Sequence, residues 1–248
     1  MKLYISPPFG NYLGFLPGTT SIYGSFTLYP RPGLLSQIYK TLHYSPQNNG
    51  WINKIGLRNK GIDYMIHKRK KSIFSSIHKN NIVSVAILEY NDIDKLLNKI
   101  PEDMNLEINI SCPNTDHAMI KQDVNKFLNS ERKHCSLKCS PLTTTEELDK
   151  YYEMGFRIFH FSNTLPVKFG GLSGITLIPY TEALTEYTHD KYGNSVEIIS
   201  GGGIRNMEQV LKYKEKGCTA VSVSTLCFNP LMFLWFYGNF MYYNRDLS

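Results

Sequence analysis

Short apolar runs alternate along this chain with longer amphipathic stretches, the rhythm of β-strands that each feed a helix. Apolar segments, alternating or continuous, predict strands at residues 8–11, 21–25, 82–87, 106–110, 135–138, 157–161, 196–200 and 220–223. Apolar residues at helical spacing predict helices at 61–79, 93–99, 119–129, 144–154, 178–189, 206–216 and 230–242. The pattern Thr143-Thr-Thr-Glu146, just ahead of Leu148, marks one of the helix starts. Residues 12–20 leave room for a turn only, so the first crossover is stunted. Eight strands in this order predict an α/β fold, a (β/α)8 barrel of the TIM-barrel type, as a single domain over residues 1–248. Residues 29–50, rich in Pro, Tyr, Gln and Asn, break the rhythm and predict a lid or small hairpin over the barrel mouth.

Composition narrows the picture. A chain of 248 residues with 42% hydrophobic content can bury a sizeable core. A formal charge of +6 is only mildly basic. Its densest run, His67-Lys-Arg-Lys-Lys71, reads as a solvated helix face, and no nucleic-acid partner is expected. Five cysteines, an odd number without paired C-x-x-C spacing, argue against a disulfide framework and for a reducing, cytoplasmic setting. Pro7, Pro8 and Gly10 come too early for a secretory leader. No apolar run is long enough to predict a membrane span. The aromatic tail at 228–243 contains Asn229, Pro230, Gly238 and Asn239; it reads as a final helix packed on the barrel, with membrane-surface contact as the alternative.

Chemistry gathers at the predicted strand ends. Leu106, Ile108 and Ile110 alternate into a strand that Pro113 stops. Asn109, Ser111, Cys112, Asn114 and Thr115 follow at the carboxyl end, where parallel barrels carry their reactive groups. They offer amides and one thiol but no metal-ligand set; a plain Asx-rich turn is the other reading. Ile198-Ile-Ser-Gly-Gly-Gly-Ile204 and Val221-Ser-Val-Ser-Thr225 are apolar strands ending in small residues. Such ends let backbone N–H groups approach an anion, and the last two barrel loops often hold a phosphate, though a tight turn alone has the same composition. Lys138 closes the fifth strand, either reaching to solvent or serving the site, beside Cys135 and Cys139, which read as packing residues.

The run Asn109-Ile-Ser-Cys-Pro-Asn-Thr115 resembles the active-site signature of the dihydroorotate dehydrogenases, flavin enzymes of pyrimidine synthesis. Cysteine at position 112 matches the soluble class 1 type rather than the membrane-associated class 2 type, which has serine. The resemblance runs from Phe9 to Thr225. It implies FMN as cofactor and Cys112 as the base that takes the C5 proton of dihydroorotate while hydride leaves C6 for the flavin. It implies Lys138 as the support for negative charge at the flavin N1 and C2 carbonyl. Orotate contacts fall on Asn53, Gly56 and Leu57 in the segment 53–61, and on Asn109, Asn114, Asn163 and Thr164. Flavin contacts fall on Leu13, Gly14, Ser25, Asn109, Lys138, Ser162, Ser173 and Gly174, with the phosphate at Gly202, Gly203, Ser224 and Thr225. A homodimer is the family's expected assembly.

The sequence departs from the family in places. Class 1 members carry a flavin-side lysine at the position of Gly24, and class 2 members at the position of Pro17. The loop after Thr115 is shortened, and the class 2 quinone-tunnel helices have no counterpart. Two rival readings follow: an FMN reductase of another pyrimidine, as a free base or a tRNA uridine, and a barrel that binds flavin or orotate without turnover.

Overall fold

The computed structural model describes residues 1–71, 81–110, 117–161 and 163–245. In chain order its strands are β1 Lys2–Ile5, β2 Thr19–Phe26, β3 His43–Ser45, β4 Gly50–Asn53, β5 Ile82–Ala86, β6 Leu106–Asn109, β7 Cys135–Cys139, β8 Ile158–Phe161, β9 Leu165–Val167, β10 Gly170–Gly174, β11 Glu197–Gly201 and β12 Ala220–Val223. Strands β1, β2, β5, β6, β7, β8, β11 and β12 close into a barrel, and every pairing in it is parallel. The expected (β/α)8 barrel is the observed fold.

The alternation along each strand separates two environments. Leu3, Val83, Leu106, Ile108, Leu137, Phe159, Phe161, Ile198 and Val221 join one large buried cluster with the surrounding helices. Residues of opposite parity face the lumen. Near the amino ends of the strands the lumen is apolar, a separate cluster of Tyr4, Ile22, Ile82, Ile199 and Ala220 with Ile158 packed against it. Toward the carboxyl ends the same parity carries Ser84, Glu107, Ser136, Lys138, His160 and Ser222, all buried. A barrel interior is filled by side chains in layers, and here the upper layers are polar.

Several expected elements shift. The first strand lies at Lys2–Ile5, not at 8–11; Phe9–Asn11 is a 3-10 turn. Pro7 and Pro8 remove two backbone donors, and a Cβ on Gly10 would meet the Ile22 carbonyl oxygen at 2.1 Å, so the segment turns instead of pairing. The helix start near Thr143 is capped one residue later, by a reciprocal box between Thr144 and Glu147. The helix expected at 119–129 is a short helix, His117–Asp123, continued by the 3-10 turn Val124–Phe127. The helix expected at 61–79 is described as Ile62–Lys71, and its remainder lies outside the described residues.

Segment 29–50, expected as a lid or small hairpin, does form a hairpin, and the glycine-rich segment 170–174 joins it in a second sheet. The first holds a helix, Leu34–Thr41, and the hairpin strand β3. Strand β4 then pairs antiparallel with β10, giving a four-stranded sheet in the order β3-β4-β10-β9. Its glycines are required by contact: a Cβ on Gly50 would sit 2.4 Å from the Ser173 carbonyl oxygen.

Candidate active site

A cleft of about 560 Å³, its open mouth included, lies at the carboxyl ends of the barrel strands. Its wall unites residues far apart in sequence: Ser6 after β1, Lys138 on β7, His160 on β8, Asn163 and Thr164 after β8, Ser173 and Gly174 on β10, Gly202 and Gly203 after β11, and Ser224 and Thr225 after β12. Eight of the expected site residues are therefore brought together here: Lys138, Asn163, Thr164, Ser173, Gly174, Gly202, Gly203 and Ser224, with Thr225 as a ninth.

Asn109 stands just behind this wall. Its Nδ2 donates to Ser25 Oγ at 3.1 Å, and its Oδ1 accepts from Asn163 Nδ2 at 3.1 Å. Ser25 Oγ meets Ser84 Oγ at 2.8 Å, so Ser84, Ser25, Asn109 and Asn163 form one hydrogen-bonded chain across β5, β2, β6 and the loop after β8. The chain fixes the amide planes, which matters for reading a flat ligand. Asn53 ends β4 opposite Gly171, and Gly56 and Leu57 follow in a turn with positive φ of 68° and 54°. These three, with Leu13 and Gly14 in the β1–β2 loop, are outside the cleft wall. Cys112, Asn114 and Ser162 lie outside the described residues.

The loops after β11 and β12 have the chemistry of an anion cradle. Gly202 and Gly203 adopt φ of 84° and 78°, and their N–H groups donate to nothing among the described residues. Gly203 also has a packing reason to be glycine, because a Cβ would meet Ile175 Cα at 2.8 Å. Hydroxyls of Ser6 and Ser222 pair at 2.5 Å, and Ser224 Oγ donates to the Pro7 carbonyl. Free backbone donors, serine hydroxyls and one ammonium, Lys138, fit a phosphate-bearing planar cofactor. A lysine at position 24 would not fit this backbone: φ there is +121°, and a Cβ would meet the Ser84 carbonyl oxygen at 2.6 Å.

Three functional-looking side chains escaped the sequence reading. Glu107 and His160 are 0% and 1% exposed, inside the barrel beneath Lys138. Glu107 Oε2 accepts from His160 Nδ1 at 2.5 Å, and Glu107 Oε1 faces Lys138 Nζ at 3.6 Å. Burial alone would raise the Glu107 carboxyl, but Lys138 and His160 outweigh it and lower it to about 2. Burial pushes His160 down, so the ring is neutral near pH 7 and donates its Nδ1 proton to the carboxylate. The signal was the parity itself: Glu107, Lys138 and His160 occupy lumen positions between apolar, helix-facing neighbours. Arg205 is the third. Its Nη2 donates to the carbonyl and side-chain oxygens of Asn49, at 3.0 and 2.8 Å, tying the β3–β4 turn to the loop after β11. Trp51 stacks on Phe228 at 4.6 Å, and Phe228 meets Phe9 edge-on, so the small sheet is also fastened to the loops around β1 and β12.

Known proteins agree with this geometry. The family pattern described as Dihydroorotate dehydrogenase matches residues 17–136. The catalytic subunit of dihydroorotate dehydrogenase B (NAD(+)) from Oceanobacillus iheyensis is 31% identical over 214 residues, 74% of this chain and 69% of that one. Its counterpart from Geotalea uraniireducens is 30% identical over 207 residues, 72% of this chain and 67% of that one. The ligand-free DHODH structure from Eimeria tenella superposes with a TM-score of 0.69 at 20% identity, covering 91% of this chain and 79% of that one, a likeness of fold. With that identity and coverage added to the cleft, the chain belongs to the dihydroorotate dehydrogenase family.

Proposed function

We propose that this chain oxidises dihydroorotate to orotate, a step of pyrimidine synthesis, with FMN bound in the cleft at the strand ends. Members of its family are flavin-dependent oxidoreductases. The observation that carries the reading is one cleft wall shared by Lys138, Asn163 and the Gly202–Gly203 turn. Bound FMN supplies a two-electron acceptor for the hydride leaving C6. The chain supplies the rest. Gly202, Gly203, Ser224 and Thr225 hold the phosphate through backbone N–H groups and hydroxyls. Lys138 stabilises negative charge at the far end of the cofactor. Asn109 and Asn163, already oriented by their mutual hydrogen bond, read the planar imide and carboxylate of the substrate together with Asn53, Asn114 and Thr164. Cys112 takes the C5 proton on its Sγ, as its motif implies; an unperturbed thiol titrates near 8.5, within reach of such a role.

The same proposal covers the whole chain as one FMN-binding barrel domain, in the cytoplasm, working as a homodimer on a small-molecule substrate and without nucleic acid. Free, buried Cys135, Cys139, Cys218 and Cys227 fit a reducing compartment, and among the described residues no helix is long and apolar enough to cross a membrane. Glycine at 24 and proline at 17, the positions where the resemblance implies a flavin-side lysine in class 1 and in class 2 respectively, favour the second reading, a flavin or orotate binder without turnover. FMN released by denaturing the purified protein, identified by chromatography, tests the cofactor; FAD or no flavin contradicts it. Orotate titrated against the flavin spectrum tests the amides. Asn163→Ala is expected to weaken orotate by about 1–3 kcal/mol, roughly 5–150-fold, at unchanged flavin content. Equal affinity in the variant would point to another ligand.

A further inference from the structure

The charge of this chain is not spread evenly along it. Segment 29–61, which follows β2 and holds the helix Leu34–Thr41, β3 and β4, carries Arg31, Lys40, Lys54, Arg58 and Lys60 and no aspartate or glutamate. Segment 163–177, which holds β9 and β10, adds Lys168 and again no acid. These six cations equal the formal net charge of +6, so the rest of the chain is balanced. The two segments are one structure, because β4 pairs with β10, and a bridge between Arg31 and Asn59 ties the ends of the first segment together.

Elsewhere cations meet carboxylates, as Lys2 does Glu197, Lys99 does Asp63 and Lys191 does Asp149. Among the described residues none of the six cations on the small sheet and its loops has an ion-pair partner. Arg31 Nε donates to the Gly56 carbonyl at 3.2 Å and Arg58 Nη1 to the Pro32 carbonyl at 3.3 Å, while Lys60 and Lys168 lie over the rings of Tyr64 and Phe169. Carbonyls and ring faces hold a cation without cancelling its charge. Arg58 Nε is buried with no hydrogen-bond partner among the described residues.

The place of this unit gives its charge a use. Strand β10 supplies Ser173 and Gly174 to the cleft wall, and Asn163 and Thr164 of the same wall lead into β9. None of the six cations lines the wall, so they stand around the cleft and not in it. Acidic side chains at the strand ends lie in other loops, Glu89 after β5 and Glu146 and Glu147 after β7, and Glu147 is paired with Lys121. Charge of one sign beside a cleft raises the local concentration of the opposite ion, and its on-rate by about 10–10³-fold.

We propose that the small sheet and its loops are an electrostatic collector for small organic anions, carboxylates or phosphate esters, which it draws to the cleft. This rests on the reading of the cleft as the site of an anionic ligand.

The test is association kinetics, with two anions and one neutral control. FMN and riboflavin are mixed with flavin-free protein in a stopped-flow instrument and followed by flavin fluorescence; orotate is mixed with flavin-loaded protein and followed by the flavin spectrum. Lys40 and Lys168 are both exposed, so Lys40→Glu with Lys168→Glu reverses two of the six charges without touching the cleft wall. At an ionic strength of about 0.01 M, where the screening length is about 30 Å, the double variant is expected to take up both anions about tenfold more slowly than the wild type. Dissociation rates stay the same, because charges at a rim act on the approach. Riboflavin is expected to bind both proteins at one rate, and raising the salt brings the anion rates together. Lys40→Arg with Lys168→Arg keeps the charge and the wild-type rate. Equal anion on-rates in wild type and double Glu variant overturn the proposal, as does a change confined to dissociation or one shared by riboflavin. Protein that collects FMN in this way but never oxidises dihydroorotate defeats the proposed activity and leaves the collector standing; turnover with charge-independent uptake does the reverse.

Discussion

The floor and the mouth of the barrel lumen are equally buried and chemically opposite. At the floor, Tyr4, Ile22, Ile82, Ile199 and Ala220 close the interior with apolar surface. At the mouth, the same strands and the same parity present Ser84, Glu107, Asn109, Lys138, His160 and Ser222. Strands of a parallel sheet are usually apolar on both faces because both are covered. In this chain most helix-facing positions keep that rule, with Ser200 paired to Thr185 at 2.7 Å as an exception, and the lumen positions abandon it halfway up. The barrel is therefore held by its outer interface and its floor, and the mouth is free to carry groups that cost stability unless each has a partner.

The largest expected effect that would sharpen this contrast comes from Lys138→Ala. It strands Glu107, a buried carboxylate, without its cation, and removing one member of a buried pair costs about 3–5 kcal/mol. Urea denaturation is the measurement. A loss below about 1 kcal/mol would mean that the mouth does not depend on pairing.

Acid should separate the two regions by pH. Near the floor, beside Tyr4, His134 has a buried Nε2 with no partner among the described residues, and burial lowers it from 6.5 to about 4. Folded protein refuses a proton that the unfolded chain accepts, so stability is full above pH 6.5 and falls as pH drops toward 4. His160, also held down by burial, adds to the same decline. Glu107 acts lower: its folded value of about 2 lies below the ordinary 4.5, so its contribution is present above 4.5 and disappears as pH falls toward 2. For His134 and for Glu107 the depression corresponds to about 3 kcal/mol over its window. His134→Phe is expected to flatten the stability curve between pH 6.5 and 4, and Glu107→Gln only below 4.5. Melting temperatures across pH check this, and identical curves for both variants would erase the distinction.

The smallest effect belongs to the floor. Ile199→Val deletes one methylene from a fully buried residue and should cost about 0.5–1.5 kcal/mol while leaving flavin and orotate affinity unchanged. A change in ligand affinity would show that floor and mouth are mechanically linked.

Much of this was readable in the sequence because the strands of the barrel are short, apolar on their outer parity and punctuated by helices. Ala220–Val223 and the strand at 106 came out within one residue of where they stand. The first strand did not, since Lys2–Ile5 is only four residues and the Pro7-Pro8 turn beside it drew the reading downstream. Of the small sheet only the hairpin at 29–50 was legible, and the rest was hidden for a different reason. Its central pairing joins β4 to β10, more than a hundred residues apart, through glycines whose role is close backbone approach and leaves no hydrophobic pattern. The motif residues Lys138, Asn163, Gly202 and Thr225 were assigned to the site by the family resemblance, and they do share one wall. Glu107 sat inside the very run that organised the reading, between Leu106 and Ile108, yet the alternation was used to find the strand and not to ask what its other face carried. His160, between Phe159 and Phe161, was passed over for the same reason.

The most direct measurement is the visible absorbance of the purified, flavin-loaded protein under anaerobic conditions as dihydroorotate is added. The account predicts a flavin spectrum that bleaches with one substrate per site and yields orotate, in the wild type and not in Cys112→Ala on the same time scale, where a lost base slows the step by roughly 10²–10⁴-fold. A loaded wild-type protein whose spectrum stays oxidised in excess dihydroorotate would contradict it.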